Sequence, residues 1–205
     1  MDLLLTDDEV VALAADRESF WPGALPTVPM VRPDDAIRAV LRGQRSLRVR
    51  DLLSEAGEST PQLVELRDSV LDAEGRIAVY LCDEAFDRVS WDISADLYWY
   101  APGWLVETTT AAGIHAFRQS SRAEATELLV GLTSAALSGG GGERLCVALV
   151  TERESKAVVV SAGTITGYVL DPAGTVTAEK AVPPSALPQL LGMLTDHAAS
   201  IATSS

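Results

Sequence analysis

Histidines, cysteines and grouped carboxylates are the side chains of this 205-residue chain that could carry out chemistry. The two histidines, His115 and His197, are far apart in the sequence, and neither belongs to a HExxH pattern or to another metal-ligand spacing. His115 lies between Ile114 and Ala116 in a strand-like run, which favours a core histidine over a metal ligand. We therefore expect no metal site.

One group of carboxylates, Asp83, Glu84 and Asp87, is close enough in sequence to supply a general acid and a general base. These residues follow an apolar run, and a polar turn between two strands would have the same composition. The patterns GxSxG and SxxK are absent, and the glycine run at 139–142 lacks the Lys-Ser/Thr of a phosphate-binding loop. We expect no enzyme, no catalytic residues and no cofactor. The remaining enzyme hypothesis places scattered residues, including His115, in a pocket between two halves of the chain.

Composition excludes several classes of function. The net charge is −13, so nucleic acid and anionic membranes would repel the chain. No apolar run reaches the ~18 residues of a membrane-spanning helix, and the opening MDLLLTDDEV has acidic residues where a signal peptide has basic ones. Cys82 and Cys146 each lie inside an apolar run without a CxxC partner, which favours buried reduced thiols. We expect a cytoplasmic protein that neither binds nucleic acid nor inserts into a membrane.

The stretch 96–118 is central to the predicted fold. Its sequence, DLYWYAPGWLVETTTAAGIHAFR, alternates aromatic and aliphatic residues and is interrupted at Pro102-Gly103 and at Ala111-Ala112-Gly113. Short runs of strand-forming residues separated by turn signals predict an antiparallel meander. Further strands are predicted at 76–82, 89–93, 145–150, 157–160 and 168–170, with a last strand that begins at Val176.

Helices are predicted where capping residues precede an apolar periodicity. Thr6 and Glu9 have the spacing of a capping box, so a helix through about residue 15 should follow. The other helices are predicted at 34–43, from Thr60-Pro61 to 73, from Ser120 or Ser121 to 137, and after Pro183-Pro184-Ser185. The proline-rich segment 20–33 is predicted to be a connector, in which Trp21 is either an anchor on the core or an exposed docking residue.

A basic cluster begins at the end of the second predicted helix and consists of Arg42, Arg45, Arg48 and Arg50. Apolar residues alternate with these arginines at Leu47, Val49 and Leu52, which predicts a strand after a helix that ends near Gly43. The arginines either pair with neighbouring acidic residues or bind an acidic segment of a partner.

The two sides of the glycine run resemble each other in sequence. Residues 127–133 (ELLVGLT) match 189–195 (QLLGMLT), and 103–107 (GWLVE) match 167–171 (GYVLD). Each side therefore ends with strands and an amphipathic helix, which predicts an internal repeat.

We predict an N-terminal half at 1–138, a glycine hinge at 139–142 and a C-terminal half at 143–205, integrated into one domain. The predicted class is α+β, with a central antiparallel sheet flanked by helices. The two quasi-repeated halves would be related by a pseudo-two-fold axis, which would bury strand edges that are otherwise exposed.

Three stretches of the chain resemble the EspG family of actinobacterial type VII secretion-associated chaperones: the opening LTDDEVVALA, the meander YWYAPGWLVETTTAAGIHAFR with the helix after it, and the strand-rich second half that ends in a leucine-rich helix. The resemblance covers most of the chain and lies in the pattern rather than in diagnostic motifs. It implies an EspG-like α+β chaperone of the cytosol that grips the apolar tip of a secreted helical heterodimer and keeps it soluble for type VII (ESX) export. The chain is shorter than we expect for that family, and no partner-contacting residue is carried over by motif.

The segment 157–174 is our candidate for the surface that binds such a partner, because its strands are short, rich in turns and poor in charge. The candidate partner-binding residues are Tyr168 and Val169 in this segment and Trp104 in the meander. The partners would be small helical secreted proteins. The alternative hypothesis is a non-catalytic regulatory or scaffolding module that pairs the same sheet edge with a second copy as a homodimer.

Overall fold

The computed structural model describes residues 2–29, 32–100, 103–138, 144–150, 155–161, 163–171 and 175–201, with the backbone alone at residues 2, 33 and 197–201. The glycine run at 139–142 lies outside the described residues, as do Gly174 and the side chain of His197. The predicted hinge therefore stays a prediction.

Helices and strands alternate in blocks along the described residues. The helices are α1 (Asp7–Ala15), α2 (Pro33–Val49), α3 (Pro61–Leu71), α4 (Arg122–Ser138) and α5 (Leu187–Ile201), the last preceded by a short 3₁₀ turn, Pro184–Ala186. The strands are β1 (Asp2–Thr6), β2 (Gly75–Cys82), β3 (Arg88–Tyr100), β4 (Gly103–Thr109), β5 (Ile114–Ser120), β6 (Arg144–Val150), β7 (Ser155–Ser161), β8 (Thr164–Leu170) and β9 (Val176–Ala181). These strands form one antiparallel sheet in the order β1-β5-β4-β3-β2-β6-β7-β8-β9. The predicted α+β class is confirmed.

The order of elements repeats once along the chain. Four strands and a helix, β2 to β5 and α4, are followed by four strands and a helix, β6 to β9 and α5. The matching sequences fall on corresponding elements, since 103–107 lies in β4 and 167–170 in β8, while the two leucine-rich matches lie in α4 and α5. Leu129 and Leu191, which are equivalent in these matches, are both fully buried. The pseudo-two-fold relation itself stays a prediction.

The chain divides into two compact units. Unit 1 consists of Met1–Ala73 and Glu107–Arg118, and unit 2 consists of Glu74–Val106 and Gln119–Ser205. This division differs from the halves predicted on either side of the glycine run, because β5 pairs with β1 and so groups with the N-terminal helices.

Two predicted elements of unit 1 are wrong. The helix α2 does not end near Gly43, and the strand predicted at 47–52 does not form, because α2 continues to Val49. Gly43 is a packing residue, since a Cβ at this position would overlap the backbone carbonyl of Asp8 in α1. Ala39, Gly43 and Leu47 recur at a spacing of one turn and are all buried, so they form the inner stripe of one continuous helix.

The strand β3 is longer than the sequence predicts. Residues 89–93 and the first run of the meander are predicted as separate strands, but they belong to a single strand of 13 residues. No Gly or Pro interrupts this stretch, and shifts of register opposite Tyr80 and Leu81 absorb the irregularity in its pairing with β2.

The core of unit 2 lies between one face of its sheet and the two helices α4 and α5. Alternate residues of β2 and β6 pair across the strands on this face: Ile77 with Leu149, Val79 with Val147, and Leu81 with Leu145. Leu129 of α4 and Leu191 of α5 are buried against them. Each such leucine stabilises the fold by about 1.5–3 kcal/mol through burial. We call this side of the unit 2 sheet the helix face.

Candidate partner-binding surface

The other face of the unit 2 sheet carries a compact group of aromatic residues. The fully buried residues on this side are small: Cys82, Cys146, Ala148, Ala157 and Val159. Larger, half-buried side chains pack over them: Tyr80, Phe86, Tyr168 and Leu170. We call these four residues the aromatic face. Both cysteines are free and buried, as the sequence predicts.

Phe86 reaches the aromatic face from the turn that joins β2 to β3. The Asp83 carboxylate accepts hydrogen bonds from the backbone N–H groups of Ala85 (2.8 Å) and Asp87 (3.0 Å), which fix the turn. Phe86 has a positive φ of 65°, a conformation that costs a residue with a side chain about 1–2 kcal/mol. Its ring lies edge-on to that of Tyr168, with the centroids 5.0 Å apart and the planes at 86°. Packing on the aromatic face therefore offsets the strain of the turn.

A cation borders the aromatic face. The Arg88 guanidinium lies 4.9 Å from the ring centre of Tyr80 and 4.5 Å from that of Trp91, so two cation–π contacts hold it. Burial lowers the pKa of Arg88 from its ordinary value, against the opposing effect of the Asp96 charge, but a guanidinium stays protonated in proteins. Within the described part of the chain, its Nη1 atom is buried and has no hydrogen-bond partner. The aromatic face is thus bordered by a cation that the rings of Tyr80 and Trp91 hold in place.

The three residues predicted from the sequence to bind a partner lie in different surroundings. Tyr168 belongs to the aromatic face. Val169 follows it in β8 and points to the helix face, where its cross-strand neighbour is Lys156. Trp104 is 1% exposed in the core of unit 2, with its ring 5.4 Å from that of Trp99. Of the three, Tyr168 is the residue that the fold places on a partly exposed aromatic surface.

Phe86 and Arg88 belong to this surface, although neither is among the residues predicted from the sequence to bind a partner. A signal was present, because an aromatic residue inside a polar turn, DEAFD, has no place in a solvated loop unless it packs on something. For the carboxylates of the same turn, the sequence alone allows either an acid–base pair or a polar turn. The polar-turn interpretation is confirmed for Asp83, whose carboxylate closes the turn.

The exposed edge of the unit 2 sheet lies next to the aromatic face. Among the described strands, β9 is hydrogen-bonded to β8 alone, and every residue of β9 is exposed. An unpaired strand edge can accept a strand of another protein, and a lysine such as Lys180 discourages unspecific pairing.

A second polar group, in unit 1, has the residue types of an acid–base site. The Nδ1 atom of His115 lies 2.5 Å from Oε1 of Glu107, and its Nε2 atom lies 2.6 Å from Oδ1 of Asp7. The backbone N–H and hydroxyl groups of Thr27 donate to the other oxygen of Asp7 at 2.5 and 2.6 Å. Trp21 donates from Nε1 to Glu107 at 3.0 Å. We call His115, Glu107 and Asp7 the buried triad, since each is at most 1% exposed.

The two carboxylates keep the buried imidazole protonated. Burial by itself would lower the pKa of His115, but the hydrogen bonds and charges of Asp7 and Glu107 outweigh this effect and raise it to about 9. Burial would likewise raise the pKa of Asp7, whereas hydrogen bonds from His115 and Thr27 hold it below its ordinary value. Because the triad is enclosed, it acts as an internal ion pair that ties α1 to β4 and β5. His115 is thus a core histidine, as predicted. The sequence does not predict that Asp7 and Glu107 are its hydrogen-bond partners.

Trp21 anchors the proline-rich connector on the core and is not an exposed docking residue, so the first of its two predicted roles is confirmed. It is 5% exposed, and its ring packs edge-on against Phe117 with the centroids 5.8 Å apart. Its hydrogen bond to Glu107 then joins the connector to the buried triad.

The described residues lack two other features, a metal-binding group and a membrane-spanning helix. These residues contain no group of three His, Cys, Asp or Glu side chains that could hold a metal ion. They also contain no helix that is both long enough and apolar enough to cross a membrane.

Comparison with known proteins relates the fold to a solved structure. No protein-family model matches the sequence, and no curated protein matches it. Among solved structures, the fold is similar to that of EspG5, a chaperone of the type VII secretion system of Mycobacterium tuberculosis, whose structure was determined in complex with a PE25–PPE41 dimer. The match has a TM-score of 0.54 and 11% sequence identity, and it covers 98% of this chain and 96% of that chain. At this identity the similarity is one of fold.

Proposed function

We propose that this chain is a cytoplasmic secretion chaperone that binds a secreted helical heterodimer and keeps it soluble for type VII export. The observation that carries the proposal is the fold similarity to EspG5 over 98% of this chain, because EspG5 was solved in complex with a PE25–PPE41 dimer. The pattern of the sequence, which resembles the EspG family from its opening to its last helix, supports the same function.

The aromatic face is the surface that we assign to the partner. A helical pair with an exposed apolar tip would aggregate unless another protein covered that tip. Phe86 and Tyr168 present rigid rings, which bury apolar area at a low cost in side-chain entropy. Arg88 lies beside them, packed over the ring of Tyr80, and its positive charge borders the rings. Aromatic rings next to an arginine are the composition that dominates binding energy at protein interfaces.

Co-expression tests this function. The chain is produced together with each pair of small helical secreted proteins encoded beside its gene, and the products are separated by size exclusion with light scattering. We expect a stoichiometric complex with one pair, and we expect that pair to be insoluble when it is produced alone. A pair that is soluble alone and elutes apart from this chain contradicts the proposal.

A homodimeric scaffolding module is the second candidate, and the exposed edge of β9 is the observation that favours it. Such a module would be a stable dimer without any partner and would not change its mass when the helical pairs are added. Light scattering of the chain alone distinguishes it from a chaperone that is monomeric until it binds.

A further inference from the structure

We infer that the outer side of α2 in unit 1 is a second protein-binding surface, which takes an acidic amphipathic helix of another protein. Two aliphatic residues one turn apart on this helix, Ile37 and Leu41, are 58% and 59% exposed. Arg45 and Arg48 continue the same exposed side by one and two further turns, and Arg38 lies beside it. We call these five residues the α2 patch.

The arginines of α2, together with Arg50 directly after it, fall into two groups. Arg42 donates to both carboxylate oxygens of Asp8 at 2.7 Å, and Arg50 donates to the buried carboxylate of Glu9 at 2.8 and 2.9 Å. For these two arginines, the predicted pairing with neighbouring acidic residues is confirmed. No ion pair within the described residues involves the three arginines of the α2 patch. In a chain with 29 acidic and 16 basic residues, this helix side is therefore a local concentration of positive charge.

The apolar part of the patch extends beyond α2. Phe20, 79% exposed, lines a shallow cavity of about 70 Å³ with Ala36 and Val40, which are the chain neighbours of Ile37 and Leu41. A partner could therefore bury apolar side chains both on the exposed aliphatic residues and against the rim of this cavity. Exposed large apolar residues grouped next to unpaired charges mark a contact surface rather than scattered surface hydrophobes.

The chemistry of the patch selects its occupant. Apolar residues one turn apart, followed by arginines at the same spacing, suit a helix that lies along α2, with aliphatic residues on Ile37 and Leu41 and carboxylates on Arg45 and Arg48. The patch is about 17 Å long, or roughly three helical turns. The exposed aliphatic residues favour a partner with an apolar side, which a nucleic acid backbone lacks. The three arginines then attract the carboxylates of that partner locally, although the chain as a whole carries a net charge of −13.

The test uses the full chain and a fluorescent synthetic helical peptide of about five turns, with leucine along one side and glutamate flanking it. A matched peptide carries lysine in place of every glutamate. Because the chain as a whole is acidic, general electrostatic attraction would favour the lysine peptide. A preference for the glutamate peptide therefore reports on the α2 patch.

We expect the glutamate peptide to bind about tenfold more tightly than the lysine peptide, with an affinity that falls as salt is raised. The double variant Arg45→Glu with Arg48→Glu should reverse this preference. Leu41→Ser should lower the affinity for the glutamate peptide but leave the preference for it over the lysine peptide. The matched control is Arg118→Glu, an exposed arginine of β5 outside the patch, which should leave the affinity unchanged.

Three outcomes would overturn the inference. The first is that the lysine peptide binds as tightly as the glutamate peptide or that neither peptide binds. The second is that Arg118→Glu weakens binding as much as the double variant. The third is a homodimer of the chain that Leu41→Ser converts to a monomer, since the patch would then be an interface between two copies.

Discussion

Phe86 and Tyr168 meet edge-on with ring centroids 5.0 Å apart, although two strands, β6 and β7, lie between β2 and β8 in the sheet. The residues beneath them on those two strands are small, among them Cys146 and Ala157, so the rings can approach over the sheet. The aromatic face thus depends on small buried residues as much as on the rings themselves. A larger side chain at Cys146 or Ala157 would separate the two rings.

Replacement of Phe86 separates backbone strain from ring packing. Phe86→Ala removes the ring and leaves a side chain at positive φ, whereas Phe86→Gly removes both the ring and the strain. We expect the glycine variant to be more stable than the alanine variant by about 1 kcal/mol. Urea unfolding followed by tryptophan fluorescence measures the difference. Equal stability of the two variants would contradict a left-handed conformation at this position.

A charge in the middle of the aromatic face should weaken partner binding. Tyr168→Asp replaces an apolar ring by a carboxylate that a partner would have to desolvate, so we expect affinity for the helical pair to fall by at least about tenfold. Ala178→Asp on the exposed strand β9 adds the same charge outside the face and should have little effect. Calorimetric titration of both folded variants checks this. Normal binding by Tyr168→Asp would exclude the aromatic face as the contact surface.

Stability should fall as the pH rises through the titration of His115. Its ordinary pKa is 6.5 and its pKa in the fold is about 9, so the protonated form stabilises the fold. This contribution, of the order of 3 kcal/mol, is fully present below about pH 6.5 and is lost as the pH rises through about 9. At the acid end, the lowered pKa of Asp7 makes stability fall as the pH drops through that value. Urea unfolding at several pH values between 6 and 10 measures the first effect, and a flat profile would contradict it.

The charge of Glu107 should be one source of the raised pKa of His115. Glu107→Gln keeps a carbonyl oxygen that can accept from Trp21 but removes one of the two charges that face the imidazole. We therefore expect the pKa of His115 to fall toward its ordinary value in this variant, and the fold to lose about 1–3 kcal/mol. Imidazole proton NMR gives the pKa, with His197, the only other histidine in the sequence, as the internal control, and urea unfolding gives the loss of stability. An unchanged His115 titration would show that Asp7 alone holds the proton.

Two glycines in helices should respond in opposite ways to alanine. Gly43→Ala places a methyl group on the backbone carbonyl of Asp8, so α1 and α2 must move apart, at a cost of about 1–3 kcal/mol. Gly131 in α4 has open space around the same position and is exposed, so Gly131→Ala should stabilise the fold by about 0.5–1 kcal/mol. Thermal unfolding of the two variants checks both signs. A neutral Gly43→Ala would contradict the close approach of the two helices.

Local signals predicted much of the fold because the interactions concerned lie within a few residues. The capping box of Thr6 and Glu9 forms as predicted, with Thr6 N–H donating to the Glu9 carboxylate at 2.8 Å. Thr60 is likewise the N-cap of α3, as predicted. Gly113 lies at a positive φ of 70° in the turn between β4 and β5. At Gly43 the same local reasoning is wrong. This glycine does not end α2 but allows the close approach of α1, which is distant in the sequence.

The candidate sites were only partly predictable, since their members come together through the sheet. The sequence predicts Tyr168 as a partner-binding residue, and Tyr168 lies on the aromatic face. Val169 lies on the opposite face of the sheet because side chains alternate along a strand, and Trp104 is buried in the core. His115 is a core residue, as the sequence predicts. No residue near it in the sequence indicates that its Nε2 atom lies 2.6 Å from Oδ1 of Asp7. Such pairings depend on which strands are neighbours, and a single sequence does not specify that order.

Hydrogen–deuterium exchange of the chain, alone and in complex with its co-purified helical pair, tests most directly whether the partner covers the aromatic face. We predict slower exchange at the turn 83–87 and along β8 in the complex, with exchange in α2 unchanged. Slower exchange confined to other elements, or no change anywhere when the pair is added, would contradict it.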